Sequence, residues 1–239
     1  MHSFLQQIIP HQPSEWGAKV ETLRKGLASA GERILTFEDL GAGSDNSGSR
    51  TIQRSVAYLA KLSARHRKEG ELLYRLCLNY QPKRCLEFGT NLGISSLYQL
   101  GALTNSRFVS MEGAEPIAEV ARENFKQFGL EPEVWVGEFS FLLEERLDLA
   151  AYRPDYVFVD GNHRYEPTIA YFKKLLPHIQ DGGIIVFDDI NWSKEMQNAW
   201  QEIVAHPAVT LSFDLYVMGI CFIRRPEEKQ HILTPYWPL

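Results

Sequence analysis

Leu86-Glu87-Phe88-Gly89-Thr90-Asn91-Leu92-Gly93-Ile94-Ser95 follows an apolar strand-like run that begins at Arg84, and it opens a helical pattern. A strand that passes into a helix over two glycines lets backbone N–H groups and the helix N-terminus approach a ligand closely. The spacing is E-x-G-x-x-x-G, and Glu112 stands 19 residues beyond Gly93, at the end of the next strand-like run. An acidic side chain at that place can accept both hydroxyls of an adenosine ribose. Val136-Gly137-Glu138 closes a third run. Three successive strand ends thus carry what an adenosyl ligand needs, whereas a glycine turn alone needs no ligand at all.

Outward from this stretch, short β-rich runs alternate with amphipathic helical spacing, the rhythm of a parallel sheet with crossover helices. The strands are read at Arg84–Phe88, Arg107–Met111, Glu133–Val136, Asp155–Val159 and Ile184–Phe187. One helix starts at Pro116 and stops at Gly129; another follows Ser193 as N-cap and buries Met196, Ala199, Trp200, Ile203 and Val204. Val209–Phe213 and Tyr216–Ile223 read as an antiparallel hairpin joined by Asp214-Leu215. That ending departs from a symmetrical dinucleotide-binding fold, whose halves repeat one βαβ unit.

Residues 1–80 read as a helical cap and residues 81–239 as the ligand-binding domain. In the cap a helix begins near Ser14, an extended run covers Arg33–Leu40, and helices are expected over Thr51–Ser63 and Glu69–Tyr80. The polar Gly41–Ser49 loop between them is expected to be a flexible loop suited to act as a lid. Asp39-Leu40-Gly41-Ala42-Gly43-Ser44 imitates a nucleotide-binding turn but lacks a following strand with a terminal acid.

The 239 residues carry a net charge of −5 and no dense Lys/Arg stripe, which argues against nucleic acid as a partner. The short cluster Arg65-His66-Arg67-Lys68 reads as a solvated helix end. No run approaches the roughly 20 apolar residues of a membrane span, and no signal pattern opens the chain, so a cytoplasmic protein is expected. Cys77, Cys85 and Cys221 are widely spaced and are expected as buried, reduced thiols. A homodimer is expected only because such assemblies are common among soluble proteins.

Two further segments carry chemistry. The fourth strand runs into Asp160-Gly161-Asn162-His163, and the fifth into Asp188-Asp189-Ile190-Asn191. In an open parallel sheet both emerge at the carboxyl edge, so three carboxylates converge beside the ligand. Like charges a few ångströms apart raise one another's pKa, and a hard divalent cation such as Mg²⁺ would relieve that. The alternative is that one aspartate caps a helix while another only positions the ligand's amine.

Residues from about 84 to 223 resemble the class I S-adenosylmethionine-dependent methyltransferases, with the first motif at Glu87–Gly93, the ribose acid at Glu112 and the terminal hairpin. The resemblance implies an α/β fold: a Rossmann-like seven-stranded sheet, mostly parallel, with an antiparallel hairpin at its end. It implies S-adenosylmethionine held by Glu87, Gly89, Thr90, Gly93, Ser95, Glu112, Gly113, Gly137, Glu138, Phe139 and Asp160, with a small-molecule acceptor beside it. The catalytic end is similar to the catechol and caffeoyl-CoA O-methyltransferases, in which an aspartate after strand four and an Asp-Asn pair after strand five hold Mg²⁺. Here the pair is Asp188-Asp189, closer to the Mg²⁺-dependent enzymes acting on sugar hydroxyls, so the resemblance implies Asp160, Asp188 and Asp189 as metal ligands. That branch has a lysine base three residues after the first aspartate, where this chain has His163.

A phenol-like hydroxyl with pKa near 10 is about one part in a thousand ionised at pH 7, so removing its proton accounts for roughly 4 kcal/mol of barrier. His163 as base, with Asp160 beside it, addresses that term. Competing readings are a metal-independent transfer to nitrogen or carbon, a catalytically silent adenosyl-binding protein, and an NAD-dependent oxidoreductase. The E-x-G-x-x-x-G spacing and the hairpin disfavour the last.

Overall fold

The computed structural model describes residues 7–9, 12–29, 31, 33–39, 50–62, 67–146, 148–223 and 230–233. Helices of seven or more residues are α1 (Glu15–Ser29), α2 (Val56–Leu62), α3 (Arg67–Tyr80), α4 (Ile94–Leu100), α5 (Glu115–Gln127), α6 (Tyr165–Leu175) and α7 (Lys194–Ala205). Strands are β1 (Ile34–Asp39), β2 (Arg50–Ser55), β3 (Arg84–Phe88), β4 (Arg107–Glu112), β5 (Glu133–Val136), β6 (Tyr156–Val159), β7 (Ile184–Phe187), β8 (Val209–Asp214), β9 (Gly219–Ile223) and β10 (Gln230–Leu233).

The main sheet has the order β10-β8-β9-β7-β6-β3-β4-β5. Strands β5, β4, β3, β6 and β7 are parallel neighbours, and β9 returns antiparallel to both β7 and β8. From β3 the chain winds through β4 and β5 to one side, then crosses to β6 and β7 on the other. The crevice above the carboxyl ends of β3 and β6 is therefore the topological switch point, where such sheets bind ligands.

The interior strands are almost wholly apolar because both faces are covered. Leu86, Phe88, Val157 and Val159 face one core cluster, whereas Cys85, Tyr156 and Phe158 face the other. Asp155 lies just before β6, where its carboxylate accepts the backbone N–H groups of Lys83 (2.9 Å) and Arg84 (2.8 Å) and ties the two strand starts together. All three cysteines are buried and none is in a disulfide.

Four expectations are corrected. Arg50–Ser55 is a strand rather than the start of a helix, paired antiparallel with β1 so that Ile52 stands opposite Phe37. Its β-branched Thr51 and Ile52 suit that pairing, and helix begins only at Val56. The hairpin connection is longer than two residues: Leu215 N–H donates to the Met218 carbonyl, Tyr216 has φ +69°, and β9 starts at Gly219. The main sheet has eight strands, since β10 adds a parallel edge beside β8. Finally, α3, expected in the cap, packs Leu72, Leu73, Leu76 and Cys77 directly on the sheet. The Gly41–Ser49 loop and the Leu40–Ser44 part of the decoy turn lie outside the described residues.

Candidate active site

At the switch point lies a cavity of about 380 Å³, within the range of small-molecule sites. Its floor is the β3–α4 connection. Gly89 has φ +88°, and a Cβ there would stand 1.9 Å from the Asp160 carbonyl oxygen, so only glycine lets this loop lie against the end of β6. The N–H groups of Gly89 and Thr90 both donate to the Met111 carbonyl, which fastens the loop to β4. Gly93 has φ +79°, and a Cβ there would meet the buried Phe125 ring at 2.6 Å. It serves helix packing and does not border the cavity.

Glu112 ends β4 and borders the cavity. Its carboxylate accepts the N–H of Asn91 (2.8 Å) and of Ala114 (3.1 Å). Burial pushes this carboxyl above the usual range, against the pull of the backbone N–H groups of Asn91, Ala114 and Gly113, and Asp160 pushes it the same way. A carboxylate has roughly four acceptor sites, so lone-pair capacity remains for a ligand. Gly113, Gly137, Glu138, Phe139, Thr90 and Ser95 also border the cavity. The Glu138 carboxylate caps the following turn through Ser140 N–H (3.0 Å) and Phe141 N–H (2.9 Å), so it holds the wall in shape. The Asn91 side-chain oxygen is buried at the cavity with no hydrogen-bond partner.

Glu87 is elsewhere than expected. It is fully buried beneath the loop and does not border the cavity. Ser95, Ser96, Gln99 and Ser110 all donate to its carboxylate. Burial raises its pKa to about 7, against the lowering effect of those four hydrogen bonds.

At the other end Asp160, His163 and Asp188 border the cavity. His163 Nε2 lies 3.5 Å from Asp160 Oδ1 and 3.6 Å from Asp189 Oδ2, in ion-pair range of both. Asp188 is buried, and its Oδ1 accepts the Asp189 N–H at 2.8 Å. Asp189 takes φ +55° and does not border the cavity. Among the described residues no group of three or more His, Cys, Asp or Glu side chains is arranged to hold a metal ion. The residues therefore do not fit the expected three-aspartate set: one carboxylate serves the backbone, and the other two approach the same imidazole nitrogen.

The sequence reading missed the opposite wall. Glu21 of α1, Phe37 and Glu38 of β1, Arg67, Glu69 and Gly70 of α3 and Tyr98 of α4 complete the cavity. Arg67, read as a solvated helix end, turns inward with its Nε buried, and Glu69 is only 6% exposed. Glu21 is held by Arg24 and by the Tyr98 hydroxyl at 3.1 Å.

Residues 86–190 match the family model described as a methyltransferase domain. That stretch is similar to methyltransferase domains. A catechol O-methyltransferase from Niastella koreensis is 31% identical over 123 residues, 50% of this chain and 53% of the relative, so this chain spans about half the length of that curated protein. The O-methyltransferase TomG from Streptomyces achromogenes, solved with S-adenosylmethionine, superposes with a TM-score of 0.61 at 20% identity, over 94% of this chain and 95% of that one. An O-methyltransferase from Bacillus cereus, solved with S-adenosylhomocysteine, gives 0.58 at 17% identity, over 93% and 96%. At these identities the solved structures establish the fold, which is the class I methyltransferase fold. Among the described residues no helix is long and apolar enough to cross a membrane.

Proposed function

We propose that this protein transfers a methyl group from S-adenosylmethionine to a hydroxyl oxygen of a small molecule. The observation that carries the reading is that one cavity joins the Gly89–Glu112 end to the Asp160–His163 end. The first end suits an adenosyl group: a buried carboxylate with spare acceptor capacity and the unsatisfied Asn91 oxygen. When bound, S-adenosylmethionine supplies an electrophilic sulfonium methyl for an acceptor oxygen to attack.

The chain's own part is to hold the acceptor in line and to receive its proton. His163, flanked by two carboxylates, is the group assigned to that proton, since an imidazolium formed there gains ion-pair partners on Asp160 and Asp189. The opposite wall, with Phe37, Glu38 and Arg67, is the part assigned to the acceptor and its selection. Because Asp160 and Asp189 both approach His163 Nε2, no step is assigned to a divalent cation.

The test is methyl transfer from labelled S-adenosylmethionine to a panel of catechols, phenols and sugars, before and after EDTA treatment. His163→Ala should lower kcat by about 10²- to 10⁴-fold, with S-adenosylhomocysteine affinity near that of the parent protein. Unchanged turnover in that variant removes His163 from the mechanism. Turnover abolished by EDTA and restored by Mg²⁺ would reinstate the metal, and binding without transfer to any acceptor would favour a silent adenosyl-binding protein.

A further inference from the structure

Asn162 borders the cavity, and its Oδ1 is buried without a hydrogen-bond partner. An unpaired buried acceptor costs free energy, and it is explained when a ligand brings the missing donor. The turn does not need this oxygen. Asn162 has φ +51°, a conformation open to glycine, asparagine and aspartate alike. The turn is closed by backbone, with the Arg164 N–H donating to the Asn162 carbonyl at 2.6 Å. The side chain reaches Tyr171 of α6 instead, through a hydrogen bond to the hydroxyl of that buried ring. With the amide nitrogen given to Tyr171, the amide oxygen is left for another donor.

The neighbours of Asn162 are aromatic. A Cβ on Gly161 would stand 2.7 Å from the Phe139 ring, and the Phe139 and Tyr171 rings meet edge to face with centroids 6.2 Å apart. Both rings border the cavity. Phe139 belongs to the wall that follows β5, and the Gly137 N–H ties this wall to β4 by donating to the Glu112 carbonyl at 2.9 Å. The loop after β6 therefore brings Asn162 to the side of the cavity shared by Gly137, Phe139 and Tyr171. His163, one residue on, is instead in ion-pair range of Asp160 and Asp189.

We infer that Asn162 reads the exocyclic amino group of the cofactor's adenine through this oxygen, and that it selects adenine over a purine that lacks the amino group. The inference rests on the S-adenosylmethionine reading above and adds a base-recognising residue to it. With the ribose hydroxyls on Glu112, the base joined to that ribose extends along the Gly137–Phe139 wall and presents its edge to Asn162. The amino group is the donor of adenine in a nucleoside, since the ring nitrogens carry no proton and only accept. The Asn162 oxygen has the matching polarity. A site built around a hydrogen bond rejects an analogue that cannot make it, because the protein group is then left unpaired.

The experiment is calorimetric titration of the full chain with S-adenosylhomocysteine and with its 6-deamino analogue, in which purine replaces adenine. The parent protein should bind the analogue about ten-fold more weakly. Asn162→Asp keeps an acceptor oxygen on a residue that tolerates φ +51°, and should keep that preference. Asn162→Gly suits the same φ, so it should fold as stably as the parent in urea unfolding while losing the preference between the two ligands. A change of packing alone would move both affinities together and leave their ratio intact. An Asn162→Gly protein that keeps the preference, or a parent protein that binds both ligands equally, overturns the assignment and leaves the cofactor reading standing. No binding of S-adenosylhomocysteine to the parent overturns the cofactor reading and this assignment with it.

Discussion

Gly89→Ala is the most informative single substitution, because its cost can be divided into parts that other glycines measure separately. At φ +88° an added Cβ costs about 1 kcal/mol of backbone strain. The collision is the larger part. A Cβ 1.9 Å from the Asp160 carbonyl oxygen faces backbone, which cannot rotate away as a side chain would. Overpacking of this kind costs about 1 to 3 kcal/mol. Separating β3 from β6 also weakens the Asp160 N–H to Phe88 carbonyl bond of 3.0 Å, about 1 kcal/mol more. The total is about 3 to 5 kcal/mol. Gly129→Ala is the control for the first term: its φ is +67°, and nothing lies within 4 Å of the added Cβ, so it should lose only about 1 kcal/mol. Urea unfolding gives the stabilities, and titration with S-adenosylhomocysteine gives the site. Gly89→Ala should be the less stable by at least about 2 kcal/mol and should lose most cofactor affinity, while Gly129→Ala binds normally. Equal stabilities with intact binding in both would refute the reasoning that backbone contact between the loop and β6 builds the cavity floor.

Glu112→Gln leaves the shape of the β4 end but removes its charge, and should weaken S-adenosylhomocysteine by roughly ten- to a hundred-fold in calorimetry; unaltered affinity would mean that Glu112 serves only the Asn91 and Ala114 N–H groups. For Glu87 burial raises the folded pKa to about 7, above the ordinary carboxyl value of 4.5, so its contribution to stability is fully present below about pH 4.5 and is lost as pH rises through 7. That difference amounts to roughly 2 to 3 kcal/mol, and urea unfolding at pH 5 and pH 8 should show the parent protein losing that much relative to Glu87→Gln. A gap that does not change with pH would sink the assignment of a buried, charge-penalised carboxyl.

The parallel strands were legible because burial on both faces leaves little choice of residue: Val157-Phe158-Val159 and Ile184-Ile185-Val186-Phe187 can be little else when turn signals bound them. Arg50–Ser55 was not legible because its partner supplies the reason for the strand. Ser55 caps the helix Val56–Leu62 by accepting the Tyr58 N–H at 3.1 Å, but a serine there does not by itself make the preceding residues a strand. Antiparallel pairing with Ile34–Asp39 decides it, a non-local contact that propensity cannot contain. The turn at Leu215–Met218 has the same character, since an exposed tyrosine at φ +69° is not a residue type that announces a turn.

In the site, what was legible came from topology and what was not came from packing. Strand ends at a switch point bring their next residues to one crevice whatever the side chains, which is why Gly89, Glu112 and Asp160 all border it. Glu87 is one residue upstream of that edge, and the period of two decides its direction. Leu86 and Phe88 face one core, so Glu87 shares the face of Cys85, toward α3 and α4 and away from the ligand. The alternation that marks the strand therefore carried the signal, and the motif spacing masked it. Asp188 and Asp189 show the limit of the same rule. Asp189 takes φ +55°, and its carboxylate lies 3.6 Å from His163 Nε2 while that of Asp188 turns to the Asp189 N–H. A left-handed aspartate leaves no mark in the residues around it. Of the three carboxylates expected to share a cation, Asp188 accepts a backbone N–H and Asp160 and Asp189 flank the His163 imidazole.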